Sequence, residues 1–393
     1  MPKIIWLLII GMSTNVIASS FLWPLNTIYI HEQLGEPLSA AGVVLMMYAG
    51  AGVIGNIVGG RLFDVIGGYK TLVIGMTFAL GFAILLAFNH EYYQYMAFLT
   101  GIGLGHGMIV PVFYSLAGSL WPEGGRRPFN AMYVAQNVGV SAGTALAGIV
   151  AAFHIEMIFV ANSITYLVLF LFAVIAYRGI QERSTSSAQV QKSKNFKQQN
   201  MSALAILSVG FLICWVAYVQ WLSNISVHMQ SLNIDLYYYS LLWTLNGLLI
   251  VIMQPVMAIV VRKWVTTLKA QLITGAIIFA GAFLVLTQAE VFTVFLLAMI
   301  ILTFGELFVW PAVPTIANKM APKGSEGFYQ GIVNSVATGG RMIGPLLGGM
   351  IVDHYDMHTM FFVILSLFII AIISFAMYDR PLRKSNKKLP LQS

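Results

Sequence analysis

The sequence predicts an all-α integral membrane protein with twelve transmembrane helices, arranged as two six-helix parallel repeats. Three observations support this fold class: the composition, a series of long apolar segments, and a similarity between the two halves. Hydrophobic residues make up 59% of the chain and charged residues only 9%, whereas ordinary soluble domains carry about 25% charged residues. A water-soluble fold cannot bury so much apolar surface, so we expect the chain to cross a membrane.

Apolar segments of spanning length occur throughout the chain. A helix needs about 20 apolar residues to cross the hydrocarbon core of a bilayer. Polar breaks separate twelve such segments, at 4–30, 38–61, 71–89, 93–120, 129–152, 155–177, 203–228, 236–261, 270–288, 291–318, 328–352 and 358–378. The first segment is too long for the apolar region of a cleaved signal peptide, and we interpret it as a spanning helix.

A long polar stretch divides the spans into two groups. We predict an N-terminal six-helix half at 1–178, a cytoplasmic linker at 179–202, a C-terminal half at 203–378 and a cytoplasmic tail at 379–393. The Ser, Gln and Lys content of the stretch between the halves is typical of a flexible linker.

Basic residues predict the orientation of the spans. Of the 21 Lys and Arg residues, all except Arg341 fall at loops and termini on one side of the predicted topology. Cytoplasmic loops are enriched in Lys and Arg, so we expect a multi-pass protein of the cell (plasma) membrane with both termini in the cytoplasm. A basic inner face on anionic membrane lipid accounts for most of the net charge of +7, and no nucleic-acid partner is expected.

The two halves resemble each other at a fixed offset of 200 residues. The register holds without a gap through two predicted spans and the polar loop between them, which is hard to obtain by chance. The matched pairs include Gly105 with Gly305, Pro111 with Pro311, Pro122 with Pro322, Gly124 with Gly324 and Gly148 with Gly348. Two halves with the same orientation constitute a parallel repeat.

The loop after the second span carries a motif. It reads "GGRLFDVIGGYK", in which Gly60, Asp64 and Gly67 fit the loop signature of the major facilitator superfamily, with Lys70 as a basic residue one place late. The chain resembles this superfamily over its whole length. The resemblance implies that spans 1, 4, 7 and 10 line a central cavity. It also implies that Asp64 packs this loop against a neighbouring helix and helps to hold an outward-open state.

Two glycine-rich strings refine the resemblance. Span 11 contains "GRMIGPLLGG", which is similar to the Gly-Pro string that drug–proton antiporters of the superfamily carry in span 5. Span 5 itself contains "GVSAGTALAG", where Thr144 and Ala145 replace the Gly-Pro pair, and this departure weakens the assignment to the antiporters. No nucleotide-binding P-loop string occurs, so transport is expected to use a proton gradient and no bound cofactor.

Three ionisable residues are predicted near the membrane midplane. They are Glu306 in span 10, His106 at the equivalent position of span 4, and Arg341 in span 11. A charge at the centre of a spanning helix costs about 2.5–3.5 kcal/mol on insertion scales, and such residues often mark ion pathways. In one interpretation Glu306 and Arg341 form a structural ion pair and His106 is a neutral core residue. In the other, Glu306 takes up and releases a proton, and Arg341 and His106 assist the coupling. A third role for Arg341, direct contact with the substrate, also stays open.

Aromatic and amide side chains surround these groups at helical spacing. The predicted substrate-binding residues are Asn15, Trp23, Asn26, Asn137, Trp215, Tyr218, Trp221, Asn246 and Trp310. Trp and Tyr also mark the membrane interfaces, and that alternative stays open for Trp23 and Trp221. A cavity rich in aromatic residues with one acid suits lipophilic and cationic compounds better than sugars, which need many paired polar groups.

The sequence therefore predicts a secondary active transporter, not an enzyme. The expected activity is proton-coupled, multidrug-type efflux of a small lipophilic or cationic substrate by a monomer. Transport of a specific metabolite, peptide or lipid in either direction is the main alternative, and a non-transporting sensor on the same fold is the second. A single cysteine, Cys214, excludes an internal disulfide and a cysteine-cluster metal site, and no metal site is expected.

Overall fold

The structure is a computed structural model that describes residues 1–22, 25–180 and 194–382; side chains are not described at 38–39, 194–199 and 236. All regular structure in these residues is helical. The first half contains α1 (Lys3–Leu22), α2 (Asn26–Ile28) with a π-helical turn (Tyr29–Gln33), α3 (Leu38–Ile66), α4 (Gly68–Phe88), α5 (Tyr92–Leu120), a 3₁₀ turn (Pro122–Gly124), α6 (Arg127–Phe153) and α7 (Met157–Ala176). The second half contains α8 (Lys194–Val219), α9 (Asn224–Ser231), α10 (Leu236–Ile252), α11 (Gln254–Lys263), α12 (Leu268–Leu286), α13 (Phe292–Met320), α14 (Glu326–His354) and α15 (Met357–Met377).

Most of the predicted spans coincide with helices that are apolar enough for a membrane. Among the described residues, ten helices are long and apolar enough to cross a bilayer, or eleven if the bent pair α10 and α11 counts as one span. The remaining predicted span, 328–352, lies in α14. This helix has 29 residues, but its glycines, amides and Arg341 make it less apolar.

Two predicted spans are interrupted. The seventh ends as an α-helix at Val219, and residues 220–223 form a turn with i to i+3 backbone bonds, such as Ser223 N to Gln220 O at 3.3 Å, before α9 begins. The eighth bends by 56° between α10 and α11. Pro255 lies in the first turn of α11, and proline has no backbone N–H to continue the helical bonding of α10.

The 200-residue repeat is visible in the helices. Tyr92–Leu120 and Phe292–Met320 have bounds one offset apart, and both contain a proline whose carbonyl oxygen accepts a hydroxyl bond from the next turn. Ser115 Oγ donates to Pro111 O at 2.8 Å, and Thr315 Oγ1 donates to Pro311 O at 2.6 Å. Equivalent helices also pack together, α4 on α5 and α7 in one half and α12 on α13 and α15 in the other. The predicted repeat fold is confirmed at this level.

Close helix packing depends on glycine at equivalent positions. A Cβ on Gly105 would meet Gly75 O at 2.9 Å, and a Cβ on Gly305 would meet Gly275 O at 3.1 Å. The helix pairs α4–α5 and α12–α13 therefore approach closely at matching points. Small residues at helix interfaces are the usual means of close approach in membranes.

The chain divides into two compact units. The first contains Met1–Val190 and Ala321–Thr338, and the second contains Gln191–Met320 and Gly339–Ser393. Helix α14 thus contributes its first part to one unit and its remainder to the other. The residues of the candidate site fall into three groups, each of which lies within a single unit.

Candidate functional site

Glu306 is the centre of a polar cluster in the second unit. Its side chain is only 1% exposed. The Asn246 Nδ2 amide donates to Glu306 Oε1 at 2.6 Å, and the Trp310 Nε1 indole donates to Glu306 Oε2 at 3.2 Å. Both carboxylate oxygens therefore accept hydrogen bonds, as an ionised carboxylate does. A protonated Glu306 would have to turn one oxygen from acceptor to donor.

Asn246 is itself held in place by a second bond. Its Nδ2 atom also donates to Thr303 Oγ1 at 2.9 Å, and Thr303 Oγ1 donates to Met299 O at 2.8 Å. Asn246 lies on α10, whereas Thr303 and Glu306 lie about one turn apart on α13. This network fixes the Glu306 carboxylate from a neighbouring helix, so its position does not depend on its own rotamer alone.

Aromatic rings cover the acid on one side. Trp310 stacks on Trp215 of α8, with ring centroids 4.5 Å apart and an interplanar angle of 15°. The Tyr218 ring meets both indoles edge-on, at 5.5 Å from Trp215 and 5.6 Å from Trp310. Phe211 and Phe279 pack against Trp310 at 5.6 and 5.5 Å. We call these five residues the aromatic stack.

Arg341 lies at the other end of the aromatic stack. Its guanidinium carbon is 4.8 Å from the centroid of the Trp215 ring, and the residue is exposed. The Tyr218 hydroxyl is within electrostatic range of both Arg341 and Glu306. The acid and the base predicted near the midplane are thus joined through Trp310 and Trp215, with the acid buried and the base accessible.

A glycine face on α14 sets the position of Arg341. A Cβ on Gly340 would meet Trp215 Cβ at 2.6 Å, and Cβ atoms on Gly344 and Gly348 would clash with Val219 and Gln220 of the α8 end. Gln220 is fully buried, and its Nε2 donates to Gly344 O at 2.8 Å. The "GRMIGPLLGG" string therefore serves close packing of α14 on α8, which brings Arg341 onto Trp215.

The equivalent of Glu306 in the first unit is a smaller polar pair. His106 of α5 is half-buried, and its Nδ1 lies 3.4 Å from Nδ2 of Asn15, which is fully buried on α1. Which of the two groups donates depends on the tautomer of the ring. The repeat thus gives an acid in one unit and a histidine in the other.

The other predicted substrate residues do not join the aromatic stack. Asn26 is buried, and its Oδ1 accepts from Tyr95 Oη at 2.5 Å. Asn137 Nδ2 donates to Tyr133 O of its own helix at 2.9 Å. Trp221 is fully buried in the turn after α8, where its carbonyl accepts from Tyr239 Oη at 2.9 Å. Trp23 lies outside the described residues.

The loop motif forms a helix cap within the first unit. Asp64 Oδ1 accepts from the backbone N–H of Gly327 at 2.8 Å, and Oδ2 accepts from that of Phe328 at 2.8 Å. These are among the first N–H groups of α14, which have no partner inside the helix and are normally capped by a local side chain. Asp64 supplies the cap from α3, and its ionised form suits the positive end of the helix dipole.

The remaining motif residues shape this contact. Gly60 and Gly327 touch so closely that a Cβ on either would clash with the carbonyl oxygen of the other. Gly67 has φ +85° and ψ 164° and separates α3 from α4, a backbone region used essentially by glycine. Lys70 is exposed in the first turn of α4. We call the contact of Gly60 and Asp64 with Gly327 and Phe328 the α3–α14 latch.

Several residues of these sites were not predicted from the sequence. Thr303, Phe211 and Phe279 complete the network around Glu306 and Trp310, and Arg61 places its guanidinium 5.1 Å from the Phe328 ring. Thr303 and Phe211 had a usable signal, since they lie three and four residues from predicted site residues on the same helices. Phe279 and Phe328 had none, because their partners are remote in the sequence.

Comparison with known proteins identifies the family. Residues 8–334 and 225–392 match the family described as Major Facilitator Superfamily. The chain is 49% identical over 398 residues to the uncharacterized MFS-type transporter YttB of Bacillus subtilis (strain 168), covering 100% of both chains. It is 22% identical over 360 residues to the uncharacterized MFS-type transporter YqjV of the same organism, covering 88% of this chain and 86% of that one.

Solved structures share the fold at low sequence identity. The crystal structure of the human organic anion transporter MFSD10 (TETRAN) gives a TM-score of 0.78 at 14% identity, covering 95% of this chain and 100% of that chain. A mutant of the peptide transporter POT in complex with alafosfalin gives 0.69 at 16% identity, covering 98% and 96%. The chain belongs to the major facilitator superfamily and is a multi-pass membrane transporter.

Proposed function

We propose that this transporter exports lipophilic compounds, cationic ones included, in exchange for protons. The observation that supports this most is the buried Glu306 carboxylate, whose two oxygens accept from Asn246 and Trp310 while Trp310 is part of the aromatic stack. A hydrophobic site with few convergent polar groups suits such compounds. The drug–proton antiporter group of the superfamily is the corresponding subgroup.

Glu306 links proton uptake to the aromatic stack. A protonated carboxyl keeps fewer acceptor positions than a carboxylate, so protonation weakens the bond from either Asn246 or Trp310. If the Trp310 bond is weakened, the indole that stacks on Trp215 is less firmly held. Binding of a proton and binding of an aromatic substrate then affect each other, and such coupling is reciprocal by linkage. His106 and Arg341 are the proposed auxiliary coupling groups.

The α3–α14 latch is the proposed conformational switch. Alternating access requires at least two states, and a contact made in only one of them biases the equilibrium. The Asp64 cap of α14 is such a contact, with Gly60 permitting the approach, Gly67 forming the break between α3 and α4, and Lys70 in the first turn of α4. We also propose that this loop and both termini lie in the cytoplasm, and that the protein is a monomer in the plasma membrane. The proposed halves are 1–178 and 203–378, with 179–202 as the linker.

Each unit contains proposed substrate-binding residues of its own. In the second unit, Trp215, Tyr218, Asn246 and Trp310 lie together around Glu306. In the first unit, Asn15 lies beside His106. Asn26, Asn137, Trp221 and Trp23 are also retained as proposed substrate residues.

A second candidate is transport of a specific metabolite, peptide or lipid. Thr144 and Ala145 at the position of the antiporter Gly-Pro pair favour it. The solved structures with this fold are named as an organic anion transporter and a peptide transporter, so the fold alone is compatible with either candidate.

Transport into inside-out membrane vesicles separates the candidates. An imposed pH gradient, acidic inside, should drive accumulation of ethidium, a fluorescent lipophilic cation, only in vesicles that contain the transporter. Collapse of the gradient with a protonophore should release it. Accumulation that is independent of the pH gradient would contradict proton exchange. Absence of any ethidium movement, combined with gradient-driven flux of a metabolite or a peptide, would favour the second candidate.

A further inference from the structure

Arg341 and Glu306 differ in accessibility, although both are charged groups at the aromatic stack. Glu306 is buried, and both of its oxygens accept hydrogen bonds from the protein. Arg341 is exposed, and its guanidinium rests on Trp215. The accessible charge at the aromatic stack is therefore positive. A ligand that reaches the stack in this state meets a guanidinium before it meets a carboxylate.

The backbone that carries Arg341 is held against α8. Helix α14 cannot move away from α8 without breaking the bond that Gln220 Nε2 donates to Gly344 O at 2.8 Å. The Gln220 side chain also accepts a bond from Asn224 Nδ2 at 2.6 Å. The contact with Trp215 adds a cation–π interaction, which contributes about 0.5–2 kcal/mol depending on exposure. A guanidinium preorganised in this way binds a planar acid better than a flexible ammonium does, because its N–H groups match a carboxylate in a fork geometry.

The neighbouring groups suit an aromatic body attached to that acid. Trp215 and Tyr218 are only half-buried, so part of the aromatic stack is accessible beside Arg341. The Trp215 Nε1 donor has no hydrogen-bond partner among the described residues. This atom is buried, so the accessible part of Trp215 is the remainder of its ring, beside Arg341.

We propose that Arg341 and Trp215 form a recognition site for the carboxylate of an aromatic substrate, so that aromatic acids and aromatic zwitterions are carried in preference to simple aromatic amines. The inference rests on the proposed transport function and narrows its substrate class. In a zwitterion the carboxylate lies at Arg341, and the ring lies along Trp215 and Tyr218.

Binding of four naphthyl compounds to the purified transporter tests the site. The compounds share one ring system and differ in the charged groups on a short side chain: 3-(2-naphthyl)propionate, 3-(2-naphthyl)alanine, 2-(2-naphthyl)ethylamine and 2-ethylnaphthalene. The two carboxylates should bind at least about tenfold more tightly than the amine, since a charge-assisted bond contributes about 1.5–3 kcal/mol and 1.4 kcal/mol is tenfold.

Three variants establish whether Arg341 causes the preference. Arg341→Gln should remove it, and Arg341→Lys should retain only part of it, because Lys keeps the charge but not the fork. Arg262→Gln, at the end of α11, should leave it unchanged. Each variant is first shown to be monodisperse and folded in detergent, and the Lys variant serves if the Gln variant is unstable.

The outcomes distinguish this site from the proposed function. Amine binding as tight as carboxylate binding, no binding of either carboxylate, or an unaltered preference in Arg341→Gln would overturn the site. If the preference depends on Arg341 but no compound moves in response to a pH gradient in vesicles, the site stands and proton-coupled export fails.

Discussion

Asp64→Asn should weaken the α3–α14 latch by at least about 2 kcal/mol, the lower limit of the terms below. Asp64 accepts two bonds of 2.8 Å with its two oxygens. The asparagine side chain has one oxygen, which can still accept from one of the two backbone N–H groups. Its NH₂ group faces the other N–H and cannot accept from it, so one bond is lost and the remaining bond is between neutral groups. Hydrogen bonds to charged groups contribute about 1.5–3 kcal/mol and neutral ones about 0.5–1.5 kcal/mol. Loss of the charge at the α14 N-terminus removes about 0.3–1 kcal/mol more.

This change should appear in the transport rate rather than in substrate affinity. If the latch exists in only one of the two access states, about 2 kcal/mol shifts their ratio by about 30-fold, and the turnover rate should fall by about tenfold or more. The latch residues belong to the first unit and the aromatic stack to the second, so the Kd should change little. Ethidium flux in proteoliposomes and equilibrium binding to the purified protein measure the two quantities.

A neighbouring acid provides the control. Glu326 Oε2 accepts from Gly324 N at 2.7 Å, so Glu326→Gln removes a charge from the same helix end without breaking the bonds to Gly327 and Phe328. This variant should transport at close to the wild-type rate. The reasoning is refuted if Asp64→Asn transports as fast as wild type, or if it binds substrate weakly with unchanged turnover.

Two further changes test the packing and capping of the second half. Gly348→Ala places a Cβ against the bonded Gln220 amide and should lower the melting temperature in detergent, since overpacking costs about 1–3 kcal/mol. Gly349→Ala is the control, because its Cβ would have its nearest contact at 3.8 Å, and it should leave the melting temperature unchanged. Equal melting temperatures for the two variants would contradict the clash. Asp356 accepts from Thr359 N at 2.6 Å, and this bond holds the pKa of the carboxyl below its ordinary value. The stabilisation is therefore present above the unfolded-state pKa and is lost as the pH falls through the lower folded-state pKa. Asp356→Asn should have a lower melting temperature than wild type at pH 7, and this difference should vanish in acid. A difference in melting temperature that persists in acid would contradict the cap.

The sequence predicted the helices and the repeat because these depend on local signals. Apolar length marks a span wherever it occurs, and an offset of 200 residues aligns α5 with α13 residue by residue. The interruption of span 7 at residues 220–223 was not predicted. Gln220 in this turn donates to Gly344 O and accepts from Asn224 Nδ2, and a partner 124 residues away leaves no periodic signal in the sequence.

The candidate site was predicted in part. Trp215 and Tyr218 share one face of α8, and Glu306 and Trp310 share one face of α13, so helical spacing identified both sets. Asn246 was singled out as a polar residue in an apolar span, but its two bonds to α13 could not be inferred.

The sequence did not indicate which of the two side chains, Arg341 or Glu306, is buried and which is exposed. Both are charges inside predicted spans, and the accessibility of each depends on which helix it faces. Burial of Glu306 depends on Asn246 and Trp310, whereas Arg341 is displayed on Trp215 because the glycines of α14 allow that helix to approach α8.

Proton coupling through Glu306 is tested most directly by Glu306→Gln in proteoliposomes and in unbuffered detergent solution. Glutamine keeps the shape and can still accept one bond, but it cannot take up or release a proton. The variant should bind ethidium and exchange it in counterflow, yet fail to accumulate it against a gradient, and addition of ethidium to the purified protein should release no protons. Glu290→Gln, at the exposed start of the same span, should behave as wild type. Uphill accumulation by Glu306→Gln at the wild-type rate would show that the carboxylate does not carry the coupled proton.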